Sequence, residues 1–510
     1  LRALAVAAAC AFVVSCGHPA RQSGRSSLAP APLPTFAPTP VPSPAPRWSA
    51  QELHDLQQTL ASIFDSDVTR TATGLVVVAG DGTTLFSRRG AIPVAPASTL
   101  KLVVAAGALD TLGPAHRFET RFVASAQPDA SGDLRGNLWL VGGGDPTLTS
   151  QDLENGVGVL SRSGIQRIDG TLEIDNSAFS GPEQNPQWEP DDLSYDYAAG
   201  TSAISLDQNV VEFDVTPDPG GGAASVRPVP PNASISFTGR IATVPSGYNS
   251  FVTIDRKLEL PPLAKDPAKL PSPRNVYAVD GQIAQNGMQV FYKPVLGMPG
   301  YIGGAVASML AQRRIGLSGG YGSGTAPALA TTLWAHRSAP LSDIVREMLV
   351  NSNNHTAETL LRILGEQSGR PGTDAAGVGF EKRVMDHLGV PHDKMRVFDG
   401  SGLAPSDRIE PQTLAKLLAL EARGPAGDVY VRSLPRVGLE GTVKHHDLHA
   451  ALGRARAKSG HIENVNGLAG VLQTLHHGRI AFAFIVNDTR ANADVVYDEE
   501  DRALDALTAF

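Results

Sequence analysis

The sequence predicts an α+β protein in which one domain, an antiparallel sheet flanked by helices, is split along the chain by β-rich inserted domains. Three observations lead there. Two short runs near the N-terminus and three near the C-terminus read as strands of one sheet. A helical stretch follows each set. Between them lies an interval of roughly 250 residues, rich in Gly and Pro and carrying its own short alternating runs, far longer than a connection between neighbouring elements.

The elements follow in order. Ser49 is placed to cap a helix that opens Ala50-Gln51-Glu52-Leu53, with apolar positions spaced for one buried face. Residues 75–79 and 83–86 flank Gly80-Asp81-Gly82 and read as a hairpin. An apolar helix then runs from near Pro96, which favours a helix start, to Gly113-Pro114, which ends it. In the interval, 138–141, 171–174 and 210–215 alternate as strands do. Residues 455–459, 468–474 and 479–486 form the second set, and 494–510 a closing helix. The predicted domains are 49–120 and 343–510 for the two parts of the split domain and 121–342 for the insertions.

A chain of 510 residues exceeds what one core organises. Its 42% hydrophobic and 18% charged residues describe a globular protein, and a net charge of −8 without a basic stripe gives no case for nucleic acid as a partner. The beginning has a different character. Arg2 precedes an apolar run over 3–14 that is too short to span a bilayer, so 1–15 reads as a signal peptide. Val13-Val14-Ser15-Cys16 resembles a bacterial lipobox, which implies a lipid on Cys16; an ordinary secretory signal cut slightly later is the alternative. The rest of 16–48 is dominated from Ser26 onward by Pro, Ala, Ser and Thr, a composition that favours extended polyproline II. At about 3.1 Å per residue its last twenty or so residues would reach roughly 60 Å, suiting a tether. The expected location is the extracytoplasmic cell envelope, membrane-anchored through Cys16 or secreted. Cys10 and Cys16 are the two cysteines, so the body has none to pair in a disulfide.

Chemistry concentrates in three short motifs. Ser98-Thr99-Leu100-Lys101 sets a hydroxyl and an amine three residues apart, on one helix face, so Lys101 can reach Ser98. About one such spacing is expected by chance in a chain of this length, and a capped helix with a surface lysine is the plainer explanation. However, the residues after Lys101 are apolar as far as Leu109, which predicts a core-facing amine with its pKa lowered by desolvation. Ser352-Asn353-Asn354 opens a second helical stretch and offers a hydroxyl and a carboxamide, with Ser352 as a simple N-cap the alternative. Lys458-Ser459-Gly460 lies in a strand, where glycine admits close approach to the backbone; a solvated edge charge is the alternative for Lys458.

Together and in this order, the motifs resemble the Ser-x-x-Lys, Ser-x-Asn and Lys-Thr-Gly set of penicillin-binding proteins and serine β-lactamases. Further segments narrow the likeness. Leu140-Val141-Gly142-Gly143-Gly144-Asp145-Pro146-Thr147-Leu148, Thr201-Ser202-Ala203-Ile204-Ser205-Leu206-Asp207-Gln208-Asn209 and Asp399-Gly400-Ser401-Gly402-Leu403 are similar to the class C low-molecular-mass penicillin-binding proteins of the D-Ala-D-Ala carboxypeptidase/endopeptidase type (the DacB, or penicillin-binding protein 4, family; peptidase family S13). The likeness covers nearly everything from Ser49 onward.

The resemblance implies a discontinuous penicillin-binding/β-lactamase-like transpeptidase domain acting on peptidoglycan stem peptides that end in D-Ala-D-Ala, inhibited by β-lactams, with no cofactor and no metal. By it, Ser98 is the nucleophile and Lys101 the base, kept neutral by burial and by the field of Lys458. Ser352 relays a proton to the leaving amine, and Asn354 orients Lys101 and the substrate amide. Lys458, Ser459 and Gly460 belong to the strand that binds the terminal carboxylate, and the backbone N–H groups of Ser98 and His461 form the oxyanion hole. The segment from Trp188 to Tyr197 resembles the one that reads the diaminopimelate side chain, making Asp192 the candidate for the ammonium and Tyr197 a wall; an acidic loop with core aromatics is the alternative.

Three departures stand out. Ser459 takes the place of the usual threonine, His461 that of a second carboxylate-binding threonine, and Ala404-Pro405 replaces a frequent basic residue. His461 and the pairs His445-His446 and His476-His477 lack metal-site spacing and read as loop or surface residues. Two rival functions share the motifs: a β-lactamase, which deacylates quickly, and a catalytically weak peptidoglycan-binding scaffold.

Overall fold

The strand Thr73–Ala79 is buried along its whole length, which needs cover on both faces of its sheet. In the computed structural model, which describes residues 48–70, 73–232, 234–257, 275–487 and 493–510, that cover comes from two helical layers. The signal peptide, Cys16 and nearly all of the tether lie outside the described residues. Five antiparallel strands form the sheet, in the order Ala455–Ile462, Val465–Gln473, Arg479–Asn487, Thr73–Ala79, Thr84–Arg88. The N-terminal hairpin joins the C-terminal strands in register from Thr73↔Val486 to Ala79↔Ile480.

Alternation assigns the two faces. Leu75, Val77, Leu468, Phe482 and Phe484 pack under Leu56 and Leu60 of helix Ala50–Ile63 and Leu504 and Leu507 of helix Ala493–Thr508. Ser49 caps the first of these with a reciprocal box to Glu52. On the other face, Val76, Val78, Ala483 and Ile485 meet the helix Lys101–Leu112. That helix is buried on all sides from Lys101 to Leu109, between Leu341–Asn351, Asn354–Glu366 and Pro411–Glu421. Each fully buried Leu or Val contributes about 1.5–3 kcal/mol, so the helix cannot shift without a large loss.

Among the described residues the interval holds one five-stranded and three three-stranded sheets; the expected strands Leu138–Val141 and Leu172–Asp175 pair in the first, and Val210–Thr216 lies in one of the others. It also contains two substantial helices, Ser150–Arg162 and Met298–Gln312, which its β character does not announce, and one continuous core runs through it. Its attachment to the split domain is both apolar, with Phe179 and Ala203 in that domain's core and Trp188 and Ala198 against Ala404, and polar. Along helix Asn354–Glu366, His355 donates to the Gly200 carbonyl (3.1 Å), and Arg362, held from its own domain by Asp374 (2.6 Å), reaches the Pro182 carbonyl (2.6 Å) and the Thr201 carbonyl (3.2 Å). Just before that helix, Asn353 donates to Gln208 (2.6 Å). The Leu140–Leu148 and Thr201–Asn209 motifs are bonded to each other, Gly144 N–H donating to the Ala203 carbonyl, and both reach this join: Ala203 lies in the split domain's core, and a Cβ on Gly144 would sit 3.0 Å from the Ile363 side chain.

Candidate active site

Ser98 lies in a single 3-10 turn, Ala97–Leu100, that precedes the α-helix beginning at Lys101. The turn is tight because Ala97 adopts a left-handed backbone at φ 47°, which costs a residue with a Cβ about 1–2 kcal/mol. Two glycines make room for it. A Cβ on Gly402, itself at φ 76°, would fall 1.9 Å from the Ala97 carbonyl oxygen. A Cβ on Gly460 would fall 2.8 Å from the Pro96 oxygen and 3.2 Å from the Ser98 nitrogen. The backbone that Gly460 admits is thus the turn that carries Ser98, brought against the edge strand Ala455–Ile462.

Lys101 is fully buried, and its ammonium has three partners: Ser98 Oγ at 2.8 Å, Asn354 Oδ1 at 2.7 Å and the Ser401 carbonyl oxygen at 2.8 Å. Burial pushes the amine down to about 7, against opposition from the Asp399 and Glu358 carboxylates. The surface-lysine alternative is therefore excluded. The expected lowering occurs, and burial is its cause.

Hydrogen-bond inventory then fixes the orientation of the neutral amine. Two of its three partners are carbonyl oxygens, which only accept. A neutral amine has two N–H groups for those two acceptors, and its lone pair is left facing the Ser98 hydroxyl, the one partner that can donate. Ser98, Lys101, Asn354 and Ser401 thus place the lone pair of a buried amine against a serine hydroxyl, an arrangement able to accept that hydroxyl's proton.

Ser401 is held by a buried acidic frame. Asp399 accepts from Gly402 N–H (2.7 Å), Ala404 N–H (2.8 Å) and the Trp188 indole N–H (2.8 Å). Glu358, from the helix that carries Asn354, accepts from Ser401 N–H (2.8 Å) and Gly400 N–H (3.1 Å). Burial, followed by the charges of Asp399 and Asp374, raises Glu358 above the usual carboxylate range. Glu381 and Asp407 stand in the same cluster and are raised by burial as well.

The other expected residues are placed as follows. Ser352 does not cap the second helix: it ends Leu341–Asn351 in a left-handed conformation (φ 58°), and Asn353 is the N-cap that accepts from Thr356 N–H. Lys458 is fully buried and donates to the Ser459 carbonyl at 2.7 Å, so it is no solvated edge charge. Ser459 Oγ lies 2.7 Å from Thr442 Oγ1, a second hydroxyl beside the strand that no motif signals. His461 is exposed, with Nδ1 2.9 Å from Asn466 Oδ1.

Asp192 accepts from the Tyr197 hydroxyl at 2.8 Å, and Tyr195 and Tyr197 stack with ring centroids 5.3 Å apart. Burial of the hydroxyl, then the Asp192 carboxylate, raise Tyr197 above the ordinary phenol range. Both tyrosines are exposed, at 50% and 38%, whereas Trp188 is core. The core-aromatic alternative thus holds for the tryptophan alone. The Tyr197 carbonyl accepts from Asn354 Nδ2 at 2.8 Å, tying this segment to the partner of Lys101.

Two of the paired histidines are buried rather than surface residues: His446 bonds Asp501 at 2.6 Å and His477 bonds Glu52 at 3.0 Å, securing the terminal helices. Among the described residues no group of three or more His, Cys, Asp or Glu could hold a metal ion, and no helix is long and apolar enough to cross a membrane.

The D-Ala-D-Ala carboxypeptidase 3 (S13) family pattern matches residues 56–509. A D-alanyl-D-alanine carboxypeptidase of an Actinomadura species is 30% identical over 457 residues, covering 86% of this chain and 82% of its own length. In fold, the chain is similar to penicillin binding protein 4 (dacB) from Haemophilus influenzae, with a TM-score of 0.73 at 22% identity over 90% of this chain and 99% of that one. The same protein complexed with a novel β-lactam gives 0.69 at 21% identity, with the same coverage.

Proposed function

The chain belongs to the D-Ala-D-Ala carboxypeptidase 3 (S13) family and is a carboxypeptidase of that family, and from this premise we propose a serine mechanism on peptidoglycan stem peptides ending in D-Ala-D-Ala. One observation carries the reading: the buried Lys101 amine, with two carbonyl acceptors and a single hydroxyl partner, Ser98.

Lys101 takes the Ser98 proton as Oγ attacks the carbonyl between the two D-alanines. The oxyanion that forms is met by the backbone N–H groups of Ser98 and His461. Collapse expels the terminal D-alanine, its amine protonated through Ser352, and leaves an ester on Ser98 that water hydrolyses. Asn354 holds Lys101 and the substrate amide. Lys458 and Ser459, with Thr442 behind the serine, receive the terminal carboxylate. Asp192 and Tyr197 contact the stem-peptide side chain. The same attack on a cross-linked peptide is endopeptidase action, and on a β-lactam ring it gives a lasting acyl-enzyme. That the Haemophilus influenzae protein of similar fold is known complexed with a β-lactam supports β-lactam binding at this site. A lipid on Cys16 and the Pro-rich tether of 16–48 would hold the body at a membrane facing the wall.

The test is release of D-alanine from a soluble peptide ending in D-Ala-D-Ala, beside a Lys101→Met control. Release by wild type alone is expected. No release by the folded wild type contradicts the reading and favours the scaffold alternative, while rapid turnover of penicillin without peptide cleavage favours a β-lactamase.

A further inference from the structure

The two carbonyl oxygens that orient Lys101 come from different elements of the split domain, the helix Asn354–Glu366 and the loop around Ser401, yet both of these elements are bonded to one short piece of the insertion. Asn354, which supplies the first, donates its amide to the Tyr197 carbonyl at 2.8 Å. Ser401, which supplies the second, sits in a loop organised by Asp399, and Asp399 accepts the Trp188 indole N–H at 2.8 Å.

Trp188 is 4% exposed and packs against Ala198 and Ala404, so its ring is fixed between the insertion and that loop. Asn185 adds a donor to the Phe398 carbonyl at 2.8 Å. Within the piece, Gln184 bridges the Leu193 and Ala198 carbonyls at 3.0 and 2.8 Å, closing it into one unit. That unit exposes the stacked Tyr195 and Tyr197 rings and the Asp192–Tyr197 bond.

We propose that segment 184–198 is the positioning element of the general base, and that Trp188 is a positioning residue whose indole N–H holds the Asp399 loop so that the Ser401 carbonyl meets Lys101. The proposal rests on reading Lys101 as the base. It gives the exposed tyrosine wall a second consequence. A substrate group seated on Tyr195 and Tyr197 bears on the same rigid piece that sets the base, so side-chain recognition acts on the rate of acylation as well as on binding.

Trp188→Phe keeps an aromatic ring in place and deletes the N–H. Because a ring change can disturb packing, site-specific replacement of Trp188 by its benzothiophene isostere deletes the N–H at nearly constant shape. The measurement is the acylation rate constant with benzylpenicillin in the full chain, per titratable site, from pH 5 to pH 9. The ionisable groups facing Lys101 are Asp399 from the loop and Glu358 from its neighbouring helix, with Glu381 and Asp407 behind them.

With the Ser401 carbonyl loosened, the Lys101 cation loses an acceptor. Both variants are expected to acylate about 10-fold more slowly at the plateau, with a midpoint moved about half a pH unit to acid. A purely structural tryptophan would lower the number of active sites and leave the rate per site and the midpoint alone. Wild-type rate and midpoint in the folded isostere variant would overturn the proposal. If instead wild type has no pH-dependent limb near neutrality, the base assignment itself fails, which is a separate result.

Discussion

If Lys101 is the base, pH alone should switch acylation on across neutrality. Burial brings its amine from 10.5 to about 7. At pH 7 about half of such an amine is neutral, against about one part in 3,000 of an ordinary lysine. The gain in reactive base is about 10³-fold, equivalent to about 4 kcal/mol of barrier, part of which the weaker basicity returns. Stopped-flow acylation by a chromogenic cephalosporin, followed from pH 5 to pH 9, should rise tenfold per pH unit on the acid side and level off above about pH 7. A rate still climbing at pH 9 would mean an ordinary lysine. A flat profile would mean that no group titrating in this range removes the Ser98 proton, and either outcome refutes the reasoning.

The same burial couples to stability. Between about pH 7 and 10.5 the unfolded chain holds a proton on Lys101 that the folded protein has lost, so folding gains as pH rises through that window, and the gain disappears as pH falls to 7. Lys101→Met lacks this linkage, so wild type should gain about 2 kcal/mol relative to it between pH 7 and pH 9, read by urea unfolding; parallel curves would contradict the buried, neutral amine. Gly402→Ala forces a Cβ onto the Ala97 carbonyl at a left-handed position. It should cost more than about 1 kcal/mol and abolish most acylation, and wild-type melting and labelling would show that the turn tolerates the contact.

The sheet is legible in the sequence because its strands are short apolar runs bounded by turn residues; in Thr73–Ala79 the run is continuous because both faces are buried, Leu75 and Val77 facing a different helical layer from Val76 and Val78. Hydrophobic spacing likewise finds helix Lys101–Leu112, but not the 3-10 turn before it. The left-handed Ala97 is imposed by distant partners, Gly402 and Gly460, and not by local preference. Helix Ser150–Arg162 did carry a signal, the reciprocal cap between Thr149 and Asp152. Helix Met298–Gln312 opens with Pro299 and Gly300 and holds Gly303 and Gly304, which mask it.

At the site, Ser98, Lys101 and Asn354 were marked by their spacing and the structure bonds them together. The third partner of the Lys101 amine, the Ser401 oxygen, is a backbone atom and leaves no side-chain trace. Asp399 and Glu358 could have been suspected as carboxylates within otherwise apolar or glycine-rich stretches, which in a folded core need N–H partners.

The central claim is that Ser98 is an activated nucleophile, and its most direct test is the intact mass of the body, residues 49–510, after incubation with benzylpenicillin beside Ser98→Ala. The account predicts a persistent adduct of one drug mass on wild type and none on the variant. Equal labelling of both proteins, or no labelling of a folded wild type, would contradict it.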